Sequence, residues 1–366
     1  MMAERGIFFT GAGGFLGRFL LPHYLNRADT DLFLLENGPF CARLRALVEA
    51  SVPDEGLRAR VRILEGDITR PGLGLAAPVL EELKGRVTHA VHLAALYNLS
   101  APRDLSVRVN VDGTRNVLDF LGGLPHLQKF AHTSTLAVAG THTGVFTEDD
   151  FDRGQSFKNF YEETKFLSEK LVRERRDTLP TVILRPAVVV GHSVTGEIEK
   201  IDGPYHTFVT IARHLQLVMP DCGPVKCHIA PVDFVMNAYH ALFEDDSSAG
   251  RVYYLMDPNP LTYNAFFDLA CAEWGRMKPL VRVPARCLKP LFRLGVVERL
   301  TGIPREAYLY GDQPIEYDIA KSTAALARNG VACPPLPSYI GALIRYFREH
   351  YHDSGVRRGK WWEGSQ

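Results

Sequence analysis

The chain has little cysteine. Its six cysteines, at positions 41, 222, 227, 271, 287 and 333 of 366 residues, include no C-x-x-C pair. This excludes a disulfide-built scaffold and predicts a reduced, cytoplasmic protein. There is no excess of either charge, because 42 Lys and Arg balance 42 Asp and Glu, so nothing implies a polyanion partner such as nucleic acid. Long apolar runs are missing too. The stretch Val182 to Gly191 is of strand length and carries Arg185 and Pro186, well short of the ~18 residues that a spanning helix needs. The first hydrophobic run is interrupted by glycines within a few residues, unlike the apolar core of an export signal. Thirteen histidines show no H-x-x-x-H or H-E-x-x-H spacing, and Cys222 and Cys227 lack partner ligands, so no metal is expected.

What is present is a globular composition, 46% hydrophobic and 23% charged, long enough for one large α/β domain and a smaller companion. Short apolar runs alternate with helix-period segments: Gly6 to Thr10, Phe15 to Asn26, Asp31 to Leu35, Cys41 to Ala50. Further apolar runs follow at Val61 to Leu64, His89 to Ala94, Lys129 to Thr133 and Thr181 to Leu184, with helical stretches near Arg103 to Leu121 and Asn159 to Arg176. This rhythm predicts a Rossmann-type doubly wound parallel sheet. From Gly196 onward the rhythm decays and aromatic segments replace it, predicting a smaller, mostly helical C-terminal substrate region. The expected division is a dinucleotide-binding domain over 1–195, a substrate region over 196–355 with part of the chain returning to the sheet, and a tail over 356–366.

After the first strand comes Thr10-Gly11-Ala12-Gly13-Gly14-Phe15-Leu16-Gly17, a G-x-x-G-x-x-G turn leading into a helix. Without Cβ atoms, such a turn lets backbone N–H groups and a helix amino end approach a pyrophosphate. Glu36 ends the second strand 19 residues past Gly17, where a carboxylate accepts from the ribose hydroxyls of NAD and repels a 2′-phosphate. Arg43 and Arg45 are cations that a phosphate could recruit, so NAD(P)(H) is expected, with Glu36 favouring NAD(H). Asp67, in Gly66-Asp67-Ile68, is either an adenine ligand or simply a turn former.

Tyr161 and Lys165 lie four positions apart on one helix face. The spacing alone is common; its position after a strand ending His132-Thr133-Ser134-Thr135 makes it informative, because ligands bind at the carboxyl ends of such strands. Carbonyl reduction needs a proton delivered to oxygen as hydride reaches carbon. Tyr161 is the candidate donor, Lys165 the charge expected to lower its pKa, and Thr135 or Ser134 the donor to the developing oxyanion. Asn110 is a candidate for a helix-carbonyl contact or a relay water.

The order glycine turn, His92-Leu93-Ala94-Ala95, Asn110-Val111-Asp112-Gly113-Thr114, Ser134-Thr135, Tyr161…Lys165 and Leu184-Arg185-Pro186 resembles an extended short-chain dehydrogenase/reductase. The run Gly66-Asp67-Ile68-Thr69-Arg70-Pro71-Gly72-Leu73-Gly74-Leu75, with the Ser-Thr pair and Thr195-Gly196-Glu197, is similar to the thioester reductase and fatty acyl-CoA reductase branch. The resemblance implies a catalytic set of Thr135, Tyr161 and Lys165, with Ser134 as the alternative hydroxyl. It implies cofactor contacts at Thr10, Gly11, Gly13, Gly14, Phe15, Leu16, Gly17, Glu36, Asp67, Ile68, Ala94, Ala95, Tyr161, Lys165, Pro186 and Val188. It also implies reduction of a lipid-like carbonyl, foremost a fatty acyl thioester bound to CoA or a carrier protein, with a lipid or sterol hydroxy/keto dehydrogenase as the rival. A dinucleotide-binding sensor without turnover is the non-enzyme alternative. Homodimerisation is a further family habit. Members of this branch normally use NADPH and carry a basic residue where this chain has Glu36-Asn37.

In the second half, Asp233 is read as a helix N-cap. Phe208, Leu215, Leu217, Val218 and Met219 are read as an apolar slot or a core face. Cys287 to Leu300, with Lys289, Arg293 and Arg299 among apolar residues, is read as a packed helix or, alternatively, a peripheral membrane contact.

Overall fold

The alternation of side chains along the central strands decides how the sheet is covered. In a computed structural model of the protein, which describes residues 5–285, 287–288 and 313–353, the strands in chain order are β1 (Arg5–Thr10), β2 (Thr30–Glu36), β3 (Val61–Glu65), β4 (His89–His92), β5 (Lys129–Thr133), β6 (Gly144–Thr147), β7 (Thr181–Pro186), β8 (Val188–Val190), β9 (Val218–Asp221), β10 (Ile229–Pro231), β11 (Val252–Leu255), β12 (Val281–Pro284) and β13 (Ile315–Asp318). Seven of them form one parallel sheet in the order β3-β2-β1-β4-β5-β7-β11. Ile7, Phe9, Leu32, Leu34, Ala131, Val182 and Leu184 face one hydrophobic core. Their neighbours Phe8, Phe33, Leu35, Phe130 and Ile183 face another. Residues of period two thus feed both faces, so these strands read as continuous apolar runs rather than as an alternation with polar residues.

The doubly wound order has one consequence for ligands. The chain builds β1, β2 and β3 outward in one direction and then returns to place β4 on the other side of β1, opening a crevice at their carboxyl ends. The outermost strand, β11, comes from the second half of the chain, and the helix Val232–Glu244 before it packs on the first core. A separate core gathers Tyr205, Phe208, Ile211, Phe266, Ile340 and Phe347 from three helices, Tyr205–Ala212, Tyr263–Trp274 and Ile340–His350. Three short parallel pairs complete the fold: β8 with β10 and β6 with β13 join strands from the two halves of the chain, and β9 with β12 lies within the second half.

Several local expectations are revised. The helix expected over Phe15 to Asn26 breaks at Leu21 into Phe15–Leu20 and Pro22–Leu25, where Pro22 starts a new turn. The stretch Arg103 to Leu121 is interrupted by a π-helical segment, Val107–Asp112. Asp233 is not an N-cap: the helix Val232–Glu244 follows Pro231 without a side-chain cap, and the Asp233 carboxylate accepts from Ser193 N–H at 2.8 Å and its hydroxyl at 2.6 Å. Phe208 is core, and of the five slot residues only Met219 borders the main cleft. No described helix is long and apolar enough to cross a membrane. Beyond Cys287 and Leu288, the Cys287–Leu300 segment lies outside the described residues, as does the 356–366 tail.

Candidate active site at the sheet's switch point

The turn after β1 is shaped by two glycines that admit no side chain. Gly11 has φ of 78°, and a Cβ there would lie 2.6 Å from Ala94 N in the loop after β4. A Cβ at Gly17 would lie 2.4 Å from the carbonyl oxygens of both Gly11 and Ala12. At Gly14 the space is freer, and no side chain caps the amino end of the helix Phe15–Leu20 that it begins. Backbone N–H groups are thus presented to the crevice in the way a pyrophosphate requires.

Glu36, at the end of β2, turns beneath this loop. Its Oε1 accepts from Gly13 N–H at 2.7 Å. Burial pushes the carboxyl up to about 7, against the opposing pull of the Gly13 hydrogen bond and the Arg43 guanidinium. Because the ordinary value is 4.5, the folded protein keeps this proton over a range in which the unfolded chain has lost it. Stability relative to Glu36→Gln is therefore expected to fall by roughly 3 kcal/mol as pH rises from about 4.5 to 7, and to level off above. Urea melts of both proteins at about pH 5 and pH 8 check this; a difference independent of pH would refute the buried ionisation.

Asp67 serves its turn: Oδ1 accepts from the N–H and hydroxyl of Thr69, each at 2.8 Å, while Oδ2 faces Arg70 at 3.7 Å. It still borders the cleft, as do Gly11, Gly14, Phe15, Leu16, Gly17, Glu36, Ile68, Ala94, Ala95, Pro186 and Val188. Thr10 and Gly13 do not line it. Thr10 is buried with its hydroxyl 2.7 Å from His92 Nδ1, and Gly13 contributes its N–H to Glu36. Asn110 is structural: its amide accepts from Leu96 N–H at 2.7 Å and donates to Leu96 O at 3.2 Å and Thr164 Oγ1 at 3.0 Å, pinning the loop after β4 to the next helices.

The helix Phe160–Glu174 brings the remaining candidates together. Its amino end is set by Asn159, whose side chain accepts from Glu162 N–H at 3.0 Å, while Glu162 Oε2 accepts from Lys158 N–H at 2.9 Å. This places Tyr161 on the first turn with Lys165 one turn on, at the carboxyl end of β5. Tyr161, Thr135, Ser134 and Lys165 all border the same cleft. The Thr135 side chain hydrogen-bonds the Tyr161 phenol, and Thr135 Oγ1 accepts from Ala137 N–H at 3.2 Å. Ser134 is turned away, its hydroxyl donating to Glu169 at 2.5 Å, so Thr135 is the hydroxyl beside the phenol.

The electrostatics differ from expectation. Burial pushes the Tyr161 phenol up to about 12, with the Thr135 hydrogen bond only partly opposing it. Burial also brings the Lys165 ammonium down to about 8, and its Nζ donates to Thr133 O at 2.6 Å. Desolvation of the phenolate outweighs any acidification here, so the phenol holds its proton firmly at neutral pH.

Two residues essential to this arrangement were not anticipated as a unit. Arg185 and Glu169 are fully buried and joined by Nη2–Oε1 at 2.6 Å and Nε–Oε2 at 3.1 Å. Glu169 lies one turn beyond Lys165 on the same face, and also receives Arg173 at 2.8 Å. Tyr97, too, packs its ring edge-on to Tyr161 at 5.0 Å. A lone arginine in the apolar run of β7 was the available signal, since a charge there needs a partner.

The cleft has a volume of about 1920 Å³ and runs from the glycine turn past Tyr161 to Met219, Val225, Ile229 and Phe267 of the second half. Among the described residues, no group of three or more His, Cys, Asp or Glu could hold a metal ion. The room at Gly14, the uncapped helix end and the Glu36 carboxylate fit a dinucleotide.

Comparison with known proteins agrees with this geometry. The family model described as male sterility protein matches residues 9–239. The chain is 25% identical over 283 residues to the fatty acyl-CoA reductase wat of Drosophila melanogaster, covering 64% of this chain and 53% of that protein. It is 27% identical to the glycine betaine reductase ATRR of Emericella nidulans, covering 72% of this chain and 22% of that protein. It therefore spans about half the length of the first and under a quarter of the second. Among solved structures, the terminal R domain from the myxalamid PKS-NRPS biosynthetic pathway superposes with a TM-score of 0.82 at 26% identity, covering 97% of this chain and 93% of that one. The UDP-glucuronic acid 4-epimerase of Bacillus cereus in complex with NAD, with a TM-score of 0.65 at 18% identity over 94% of this chain and 97% of that one, shares the fold. A family match over most of the sheet domain, together with these likenesses, makes the chain a member of the male sterility protein family, in the NAD(P)-dependent thioester reductase and fatty acyl-CoA reductase branch of the extended short-chain dehydrogenase/reductases.

Proposed function

We propose that this chain reduces an acyl thioester, bound to CoA or a carrier protein, to the aldehyde. The observation that carries the reading is the Thr135–Tyr161 hydroxyl pair, with Lys165, where the dinucleotide crevice meets the apolar half of the cleft. The fly relative named a fatty acyl-CoA reductase supports an acyl substrate. A thiolation-reductase di-domain, which shares the fold at a TM-score of 0.75 and 20% identity over 96% of this chain and 76% of that one, prompts the carrier-bound alternative.

Bound NAD(P)H supplies a hydride. The thioester carbonyl carbon receives it, the carbonyl oxygen takes a proton from Tyr161 while Thr135 donates a hydrogen bond to it, and a thiohemiacetal results. The thiohemiacetal hydroxyl then returns its proton to the Tyr161 phenolate as the C–S bond breaks, leaving the aldehyde and a thiolate that takes a proton from water. Residues such as Val225, Ile229 and Phe267 exclude water around the acyl portion, and Glu36 favours NADH over NADPH by accepting from the ribose hydroxyls.

The test measures cofactor oxidation, free thiol and aldehyde together, with NADH and NADPH, over acyl-CoAs of several lengths, 3-keto lipids and sterols. Stoichiometric thiol release with cofactor oxidation is expected. Cofactor oxidation by keto lipids or sterols, with no thiol released from any acyl-CoA, would replace the thioester reading by that of a hydroxy/keto dehydrogenase.

A further inference from the structure

The end of the crevice where an adenosine ribose would lie is flanked by Glu36 and by two guanidinium groups, each already paired with a carboxylate. Arg70 faces Asp67 at 3.7 Å within its own turn. Arg43, on the helix Gly38–Ser51 after β2, donates to Glu199 at 2.6 Å. Glu199 comes from a segment 156 residues further along the chain. That segment runs between Gly196 (φ 77°) and Gly203 (φ 53°), and both it and Arg43 border the cleft. A second ion pair, Arg18 with Glu197 at 3.2 Å, fastens the same segment to the helix after the glycine turn. Lys200 turns away from Arg43 to Asp202 at 2.9 Å and to the Tyr97 ring at 5.5 Å.

We propose that Glu199 is a specificity-determining residue for the dinucleotide: by holding Arg43 across the cleft, it denies a 2′-phosphate the cation that would recognise it. The proposal rests on the dinucleotide-binding reading above and adds a residue from the second half of the chain. A guanidinium pairs with a phosphate in the same bidentate manner as with a carboxylate, so the two compete for it. A 2′-phosphate entering here must displace Glu199 and, at pH values above about 7 where Glu36 has lost its proton, also confronts a second carboxylate; like charges brought together oppose binding. The ribose of NADH needs no cation, and Arg43 can remain with Glu199 when it binds. Glu199 touches no reacting group; it acts through Arg43. Its side chain and that of Arg43 are 37% and 39% exposed, so salt weakens the pair and removing it need not disturb the fold.

The test is equilibrium binding of NADH and NADPH, read by quenching of protein fluorescence, for the full chain, Glu199→Gln, Glu199→Lys and Arg43→Leu/Glu199→Gln. In Glu199→Gln, NADPH affinity is expected to rise about three- to tenfold relative to NADH, with a larger shift in Glu199→Lys and a smaller one in high salt. The gain should vanish in the double variant, since it acts through Arg43. Dinucleotides that bind the wild type but keep an unchanged NADPH-to-NADH ratio in both Glu199 variants would overturn the proposal while sparing the dinucleotide site. Absence of binding of either dinucleotide to the wild type would overturn both.

Discussion

Replacing Tyr161 by phenylalanine is expected to lower kcat about 10²- to 10⁴-fold, the range that a positioned proton donor contributes, while leaving the dissociation constant for the dinucleotide within the scatter of the wild type. The substitution removes one oxygen and keeps the ring that packs edge-on against Tyr97 at 5.0 Å, so the fold has little reason to respond. What is lost is the proton held at the mouth of the crevice. A phenol pushed up to about 12 by burial is protonated throughout the neutral range, the state from which reduction must start. The Thr135 hydroxyl stays beside it, and in the variant it supplies a hydrogen bond to the oxygen without supplying the proton. A second signature follows from Lys165. Burial brings its ammonium down to about 8 in the free protein, and a neutral amine would hold the cofactor ribose less well, so kcat/KM, which reports groups of the free enzyme, is expected to decline as pH rises through that value. Steady-state cofactor oxidation, with binding followed separately, measures both. Full turnover by Tyr161→Phe would mean that the proton comes from elsewhere, and the mechanism drawn from this site would fall.

The parts of this site that were legible in the sequence are those set by local physics. Gly11 and Gly17 declare themselves because a tight strand-to-helix turn leaves no room for a Cβ. The strands are legible because a sheet covered on both faces needs uninterrupted apolar runs. The parts that were hidden depend on contacts between distant segments. Asp233 looks like an N-cap until Ser193, 40 residues earlier, claims its carboxylate. Phe208 belongs to an amphipathic helix whose apolar face could meet either a core or a ligand, and periodicity does not distinguish the two. The protonation of Tyr161 is hidden for the same reason: spacing places an ammonium nearby, but in the free protein burial of the phenol and the turn of Lys165 towards the Thr133 carbonyl set the direction.

Removal of Glu169 is expected to be the most destabilising single change near the site, at about 3–5 kcal/mol, the cost of leaving one partner of a buried ion pair uncompensated. Without Glu169, the fully buried Arg185 retains, among the described residues, only neutral acceptors, the Tyr254 hydroxyl and the Asp150 carbonyl, both at 2.9 Å. Without Arg185, by contrast, Glu169 keeps Arg173 at 2.8 Å and the Ser134 hydroxyl at 2.5 Å. Glu169→Leu should therefore cost more than Arg185→Met, and the double variant should cost clearly less than the sum of the two, because an apolar pair leaves no stranded charge. Urea melts of the four proteins give the cycle. The pair also holds Ser134 and ties the helix Phe160–Glu174, which carries Lys165 and Tyr161, to Arg185 of β7. If the double variant folds, it should bind dinucleotide normally yet turn over slowly, since the glycine turn is untouched and the proton donor's platform is loosened. Additive losses of stability, or full activity in the double variant, would show that Arg185 and Glu169 do not act together as the support of this site.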